Sequence, residues 1–138
     1  MPDPSLILDT CVFRDKKFIN WLTHYNGNLS IPPIVYMERG RQILSKGESM
    51  EDLDEMLRNL RVKVLWFDQK NARIAAELMA ERNNRLCNIC GNLDWADTIV
   101  ASYYNMGDFI ITNNGGDFPT SGGFENKILT TDQIMNVR

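Results

Sequence analysis

A chain of 138 residues, 43% hydrophobic and 24% charged, has the size and apolar content expected of one globular domain, residues 1–138, able to bury a core. A net charge of −3 and a pI near 5.1 exclude a protein held on nucleic acid by a bulk positive field, and leave room for a small basic patch at a substrate site. Three cysteines, with no leader-like start and no apolar run long enough to span a bilayer, point to a reducing cytoplasm and to no membrane partner.

SLILD, residues 5 to 9, is a short apolar run closing on an acid, the pattern of a buried central strand that ends at a functional loop. Asp9 is the first candidate site residue. Phe18, Trp21, Leu22 and Tyr25 recur at helical spacing and predict a helix from Lys16 to Tyr25, ended by Asn26 and Gly27. LSI, residues 29 to 31, reads as a second strand. Pro32 and Pro33 then open a helix from Ile34 to about Lys46, stopped by Gly47, with Glu38 about one turn in. Ser49 with Asp52 resembles a capping box, and Leu53, Met56, Leu57 and Leu60 give the next helix its apolar stripe. The acids in its first turn and Arg58 and Arg61 in its last suit the helix dipole.

VKVLWF, residues 62 to 67, predicts a third strand, and Asp68 caps a helix carrying Ala72, Ile74, Ala75, Leu78 and Met79 to about Asn83. Residues 84–93 read as a loop. Trp95, Ile99, Val100 and Tyr103 then predict a helix stopped by Gly107, and FIIT a short buried strand. FPTSGGFEN is turn-rich, KILT predicts the last strand, and a single helical turn ends the chain. Strands alternating with helices imply an α/β fold with a parallel sheet between helical layers.

In an open parallel sheet, ligands bind outside the carboxyl ends of the strands where strand order reverses. Asp9 and Asp117 follow strands, and Glu38 and Asp97 sit early in helices that flank the same crevice if the first strand neighbours FIIT. Two like charges ~4 Å apart repel by about 4 kcal/mol at an effective dielectric near 20, so four converging carboxylates need protons or a cation. Mg²⁺ or Mn²⁺ suits an all-oxygen pocket, whereas zinc prefers His or Cys. One ion or a pair is equally compatible with the spacing. Such an ion lowers the pKa of an attacking water and offsets charge on a phosphoryl oxygen.

These segments resemble the PIN-domain family of metal-dependent ribonucleases, and within it the compact VapC-type toxins, along nearly the whole chain. LILDTCVF, residues 6 to 13, is similar to the family's first motif and places Asp9 as a metal ligand with Thr10 beside it. Glu38, within PPIVYMERGR, stands at the second acid, and DWADTIVASYYNMG aligns Asp97 with the third. TNNGGDF resembles the family's Thr-x-Asn-x-x-Asp-Phe ending, with Asp117 as fourth acid and Thr112 and Asn114 as its polar support. IVAS replaces the commoner Ile-Ala-Ala run, and Cys11 stands where Ser or Asn is frequent; neither change removes a carboxylate. The resemblance implies a three-layer α/β/α fold with a central parallel sheet ordered roughly 3-2-1-4-5. It also implies a Mg²⁺- or Mn²⁺-dependent endoribonuclease acting on RNA, a tRNA or rRNA loop being a reasonable target. An antitoxin partner and a homodimer follow from the toxin version.

Several residues carry blander readings. Asp94, one turn before Asp97, is a fifth ligand or a helix cap, and the cap is favoured. Thr112 and Asn114 also suit a role satisfying loop backbone. Cys87 and Cys90 form a C-x-x-C without two further nearby ligands for zinc, so packing is preferred; His24 suits a helix C-terminus. Arg14, Arg39 and Arg41 lie near the acidic motifs, and one or more is expected to contact substrate phosphate, against a solvated role. Rival functions are a PIN-like RNA-processing nuclease outside a toxin-antitoxin pair and a catalytically silent PIN-like binding module. An aspartate-based phosphohydrolase of haloacid-dehalogenase type needs an acid where Cys11 stands, and a receiver domain needs an acidic pair at the first strand end.

Overall fold

The computed structural model describes residues 3–81, 95–118, 124 and 126–137, without the side chain of Asp117. Five short strands form one parallel sheet: β1 (Leu6–Leu8), β2 (Leu29–Ile31), β3 (Val62–Val64), β4 (Phe109–Ile111) and β5 (Ile128–Leu129). Their order is β3-β2-β1-β4-β5, the expected arrangement. The chain lays down β1, β2 and β3 outward in one direction, then crosses back to add β4 and β5 on the other side of β1. The point of reversal lies between β1 and β4, where Leu8 pairs with Ile111. The core follows from this order: Leu6, Ile7 and Leu8 have at most 1% of their surface exposed, because β1 is paired on both edges and covered on both faces.

The helices are α1 (Lys16–Leu22), α2 (Pro33–Ser45), α3 (Met50–Leu60), α4 (Gln69–Glu81), α5 (Trp95–Ala101) and α6 (Thr131–Val137). α1 packs with α6, while α2 packs with α3 and α5, and α5 with α4, giving helical layers on either side of the sheet. Among the described residues no helix is long and apolar enough to cross a membrane. Local chemistry sets several ends. Pro33 begins α2 at a position where its missing N–H costs nothing, and Gly47 beyond the helix adopts φ +80. Ser49 and Asp52 form the capping box of α3, with Ser49 N donating to Asp52 at 2.9 Å and Asp52 N to Ser49 Oγ at 3.3 Å. Hydrogen bonds from the Ser49 backbone N–H and from its side chain hold the Asp52 carboxyl below the usual range. Asp68 caps α4 by accepting from Asn71 N at 3.0 Å, and the Asn71 side chain accepts in return from Asp68 N at 3.4 Å.

Four expectations shift. The run VKVLWF pairs as a strand only over Val62–Val64, because the β2 edge it lies on is itself three residues long. Leu65 N still donates to Ile31 O at 2.9 Å, after which the chain leaves the sheet and Trp66 stands 88% exposed. The α5 helix stops at Ala101, before Tyr103, since the Ser102 hydroxyl donates back to Ile99 O at 2.6 Å and diverts the last turn. Tyr103 is nonetheless fully buried, its hydroxyl donating to Trp66 O at 2.7 Å, and burial pushes its phenol up to about 12. α1 ends at Leu22, where Thr23 Oγ1 donates to Asn20 O at 2.6 Å. The terminal helical turn extends to seven residues as α6.

Candidate functional site

The site is built at the carboxyl ends of β1 and β4. Asp9 leaves β1 in extended conformation and caps a 3₁₀ turn over Thr10–Arg14, an element not anticipated from sequence. Its backbone N–H donates to Ile111 O at 3.0 Å, which pins the residue to β4. Its carboxylate accepts from Thr10 N at 2.8 Å through Oδ1 and from the Thr112 hydroxyl at 2.8 Å through Oδ2. Asp9 is only 4% exposed, so an acid is held in the interior by donors on two different strands' ends.

Thr10 joins this acid to a second one. Its hydroxyl donates to Glu38 Oε1 at 2.6 Å, the short distance of a charge-assisted bond. Glu38 lies on the second turn of α2, and α2 packs against the 3₁₀ turn that carries Thr10. Asp97 lies in the first turn of α5, half-buried, and α5 also packs against α2. Asp9, Thr10, Glu38 and Thr112 are therefore brought into one hydrogen-bonded group, with Asp97 on the neighbouring helix. The backbone of Asp117 closes a short 3₁₀ turn over Gly115–Asp117, just beyond the end of β4.

The loop after β4 is tied in through Thr112, which accepts from Asn114 N at 3.0 Å while donating to Asp9. The Asn114 side chain is exposed and makes no capping bond in that turn. Two residues within the motifs, neither of them expected at the site, also take part. Cys11 Sγ donates to Asp9 Oδ2 at 3.8 Å, lies 3.6 Å from Thr112 Oγ1, and accepts from Asn113 N at 3.3 Å. Burial pushes its thiol up and the charge of Asp9 adds to that, against the opposing pull of the Asn113 N–H and the Thr112 hydroxyl. Asn113 Oδ1 accepts from Thr131 N at 3.0 Å, while Thr131 Oγ1 donates to Asp15 Oδ2 at 2.8 Å. The signal in sequence for Cys11 is its place two residues after Asp9; the partnership with residue 113 has no local signature.

The three arginines diverge. Arg14 and Arg41 are exposed, and Arg41 borders an apolar groove with Tyr36, Met37, Gly40 and Leu44. Arg39 is half-buried, with Nη1 donating to Gln42 Oε1 at 3.1 Å. Its Nε is the one buried side-chain polar atom among the described residues that has no hydrogen-bond partner. A larger cleft of about 700 Å³, lined by Asp3, Trp21, His24 and Tyr25 among others, lies at the opposite, amino edge of the sheet and away from the acids.

The donor chemistry suits a hard divalent cation. The hydrogen-bonded group offers carboxylate and hydroxyl oxygens and no imidazole, with His24 at the far edge, while the Cys11 thiol bonded to Asp9 departs from the all-oxygen pocket expected from sequence. Among the described residues no group of three or more His, Cys, Asp or Glu side chains is set to hold a metal ion. The Asp117 side chain, Asp94, Cys87 and Cys90 lie outside the described residues.

The family model of the PIN domain matches residues 6–115. Among solved structures, VapBC2 from Rickettsia felis, bound to a DNA fragment from their promoter, aligns with a TM-score of 0.56 at 22% identity, covering 91% of this chain and 96% of that one. VapBC-1 from nontypeable Haemophilus influenzae aligns with a TM-score of 0.53 at 19% identity, covering 82% and 89%. At these identities the likeness is one of fold. No curated protein matches the sequence.

Proposed function

The chain belongs to the PIN domain family, and from that premise we propose that it is a Mg²⁺- or Mn²⁺-dependent endoribonuclease that hydrolyses RNA phosphodiester bonds. The observation that carries this reading is the Thr10 hydroxyl bond to Glu38, which gathers that acid to the buried Asp9 at the point of strand reversal. Asp9, Glu38, Asp97 and Asp117 would hold the cation, which when bound supplies Lewis acidity to activate water and offset charge on the phosphoryl oxygen.

The chain's own residues prepare the site. Thr10 N and the Thr112 hydroxyl fix both oxygens of Asp9, so its carboxylate keeps one orientation as ligands come and go. Thr10 does the same for one oxygen of Glu38. The Thr112–Asn114 bond holds the start of the loop that leads to Asp117. Around an acidic site of this kind, RNA would be held by cations at its border and not by the net charge of −3.

The likeness to VapBC2 from Rickettsia felis and VapBC-1 from nontypeable Haemophilus influenzae supports a more specific role as the toxin of a VapBC-type pair. In that role an antitoxin protein covers the groove, two copies of the chain associate, and a single-stranded tRNA or rRNA loop is the target. The test is degradation of structured RNAs with Mn²⁺, with EDTA added, and by Asp97→Asn. Cutting in Mn²⁺ that EDTA abolishes and the variant lowers by at least a hundredfold is expected. Cutting that survives both treatments would sink the metal mechanism, and an intact RNA under every condition would leave a silent binding module in its place.

A further inference from the structure

An arginine next in sequence to a ligand acid carries an unsatisfied nitrogen. Arg39 follows Glu38 directly on α2, so their Cα atoms are about 3.8 Å apart. Its guanidinium has five donors in a rigid fork, of which Nη1 rests on Gln42 at 3.1 Å. Nε is buried and has no hydrogen-bond partner among the described residues. Gln42 sits one turn along the same helix, so the bond is local and holds the arm without locking it to another element. A buried donor without a partner is costly, and the cost is greater on a charged group, so this arrangement favours any state in which the fork finds an acceptor.

The acceptor chemistry follows from the surroundings. The acid next to it in sequence, Glu38, is engaged by Thr10, and among the described residues the side-chain bond of Arg39 is to a neutral amide. A planar fork with free Nε and Nη donors matches an anion with two coplanar oxygens, such as a phosphodiester. Resting on the nuclease reading above, the geometry points to Arg39 as the arm that takes a backbone phosphate of the bound RNA strand. It rests on Gln42 in the free protein and turns about its terminal torsions so that Nε and an Nη pair with the phosphate together. Arg14 and Arg41, exposed on the surface, lack this constraint and act only as diffuse charge. Arg39 thus binds substrate, and it places the strand beside Glu38.

Binding of a short fluorescein-labelled single-stranded RNA by Asp97→Asn protein in Mg²⁺, from about 50 to 200 mM salt, tests the assignment. Adding Arg39→Met, which keeps the apolar stem, is expected to weaken binding by about tenfold or more. It should also flatten the plot of log affinity against log salt by about 0.7, the share of one phosphate on a single strand. Arg39→Lys keeps a point charge but loses the fork, so the slope should stay and affinity should fall severalfold. The Lys variant carries the test if the Met variant melts, and a thermal scan of each reports folding. Unchanged affinity and slope in folded variants of a protein that still binds RNA would overturn the Arg39 assignment alone. An absence of RNA binding before Arg39 is changed would overturn the nuclease reading and this assignment with it. An oligoglutamate peptide provides the carboxylate control: if Arg39→Met weakened that binding and left RNA binding intact, the arm would belong to a protein partner and the proposal would fail.

Discussion

At the scale of single residues the site depends on hydroxyls as much as on acids. Thr112, 1% exposed, donates to Asp9 Oδ2 and accepts from Asn114 N, so one oxygen holds the first acid and the loop leading to the last. Thr112→Val keeps the shape and removes both bonds, leaving a buried carboxylate oxygen short of a donor. A loss of about 1–3 kcal/mol is expected in urea unfolding, with Mn²⁺-supported cutting reduced by at least tenfold; Thr112→Ser should retain most of both. A Val variant with full activity would show that Asp9 needs no such support. Asp9, Glu38 and Thr112, which the structure joins through hydrogen bonds, each sit at a fixed offset from a strand end or helix start; Asp97 shares such an offset and lies on the adjoining helix. Cys11 and Asn113 carry no such signal: neither is one of the motif acids or hydroxyls, and their bond, like that of Asp9 with Thr112 across 103 residues, depends on the pairing of β1 with β4. Asn114 was legible as a motif position, yet its backbone and not its side chain makes the bond observed in the loop.

At the scale of elements, the sequence carried the existence and order of strands and helices better than their lengths. Strand β1 was readable because Leu6, Ile7 and Leu8 are buried on both faces, so the whole run is apolar. The end of β3 was not, because apolar residues continue to Phe67 while the partner edge stops at Ile31. Tertiary pairing, not composition, sets that boundary. Gly107 shows the same division. Sequence explains it as the stop signal of a helix, but the helix has already ended at Ala101, and the close approach to β1 is the constraint. A Cβ there would meet Ile7 Cγ1 at 2.8 Å and Ile7 Cδ1 at 3.3 Å, against the central strand. Gly107→Ala should therefore destabilise by about 1–3 kcal/mol through overpacking. Gly116→Ala, where a Cβ meets nothing within 4 Å, is the control expected to leave the unfolding midpoint nearly unchanged. Equal midpoints for the two variants would show that Ile7 yields freely and that Gly107 is not fixed by packing.

At the scale of the whole molecule, strand order decides where charge accumulates, and the charge in turn sets stability. The reversal between β1 and β4 places Asp9 beside Thr112, and the packing of α2 on the 3₁₀ turn and α5 brings Glu38 to Thr10 and sets Asp97 on the adjoining helix. Like charges gathered in a poorly solvated pocket oppose folding unless a cation neutralises them. A ligand that binds only the folded chain adds RT ln(1 + [L]/Kd), about 2.7 kcal/mol at a hundredfold excess over Kd. For a chain of this size each kcal/mol moves the melting temperature by about 2–4 °C. Mn²⁺ should therefore raise the midpoint of thermal unfolding by about 5–10 °C over that in EDTA. In the proposed site, Asp97→Asn would remove one of the opposed charges and one cation ligand together. Its midpoint in EDTA should equal or exceed that of the unaltered chain, while its rise on adding Mn²⁺ should shrink to a small fraction. The two signs are opposite, which separates the electrostatic account from simple damage to the fold, since damage lowers the midpoint in both solutions. A variant that melts lower in EDTA and keeps the full Mn²⁺ shift would place the cation elsewhere and leave Asp97 as a packing residue of α5.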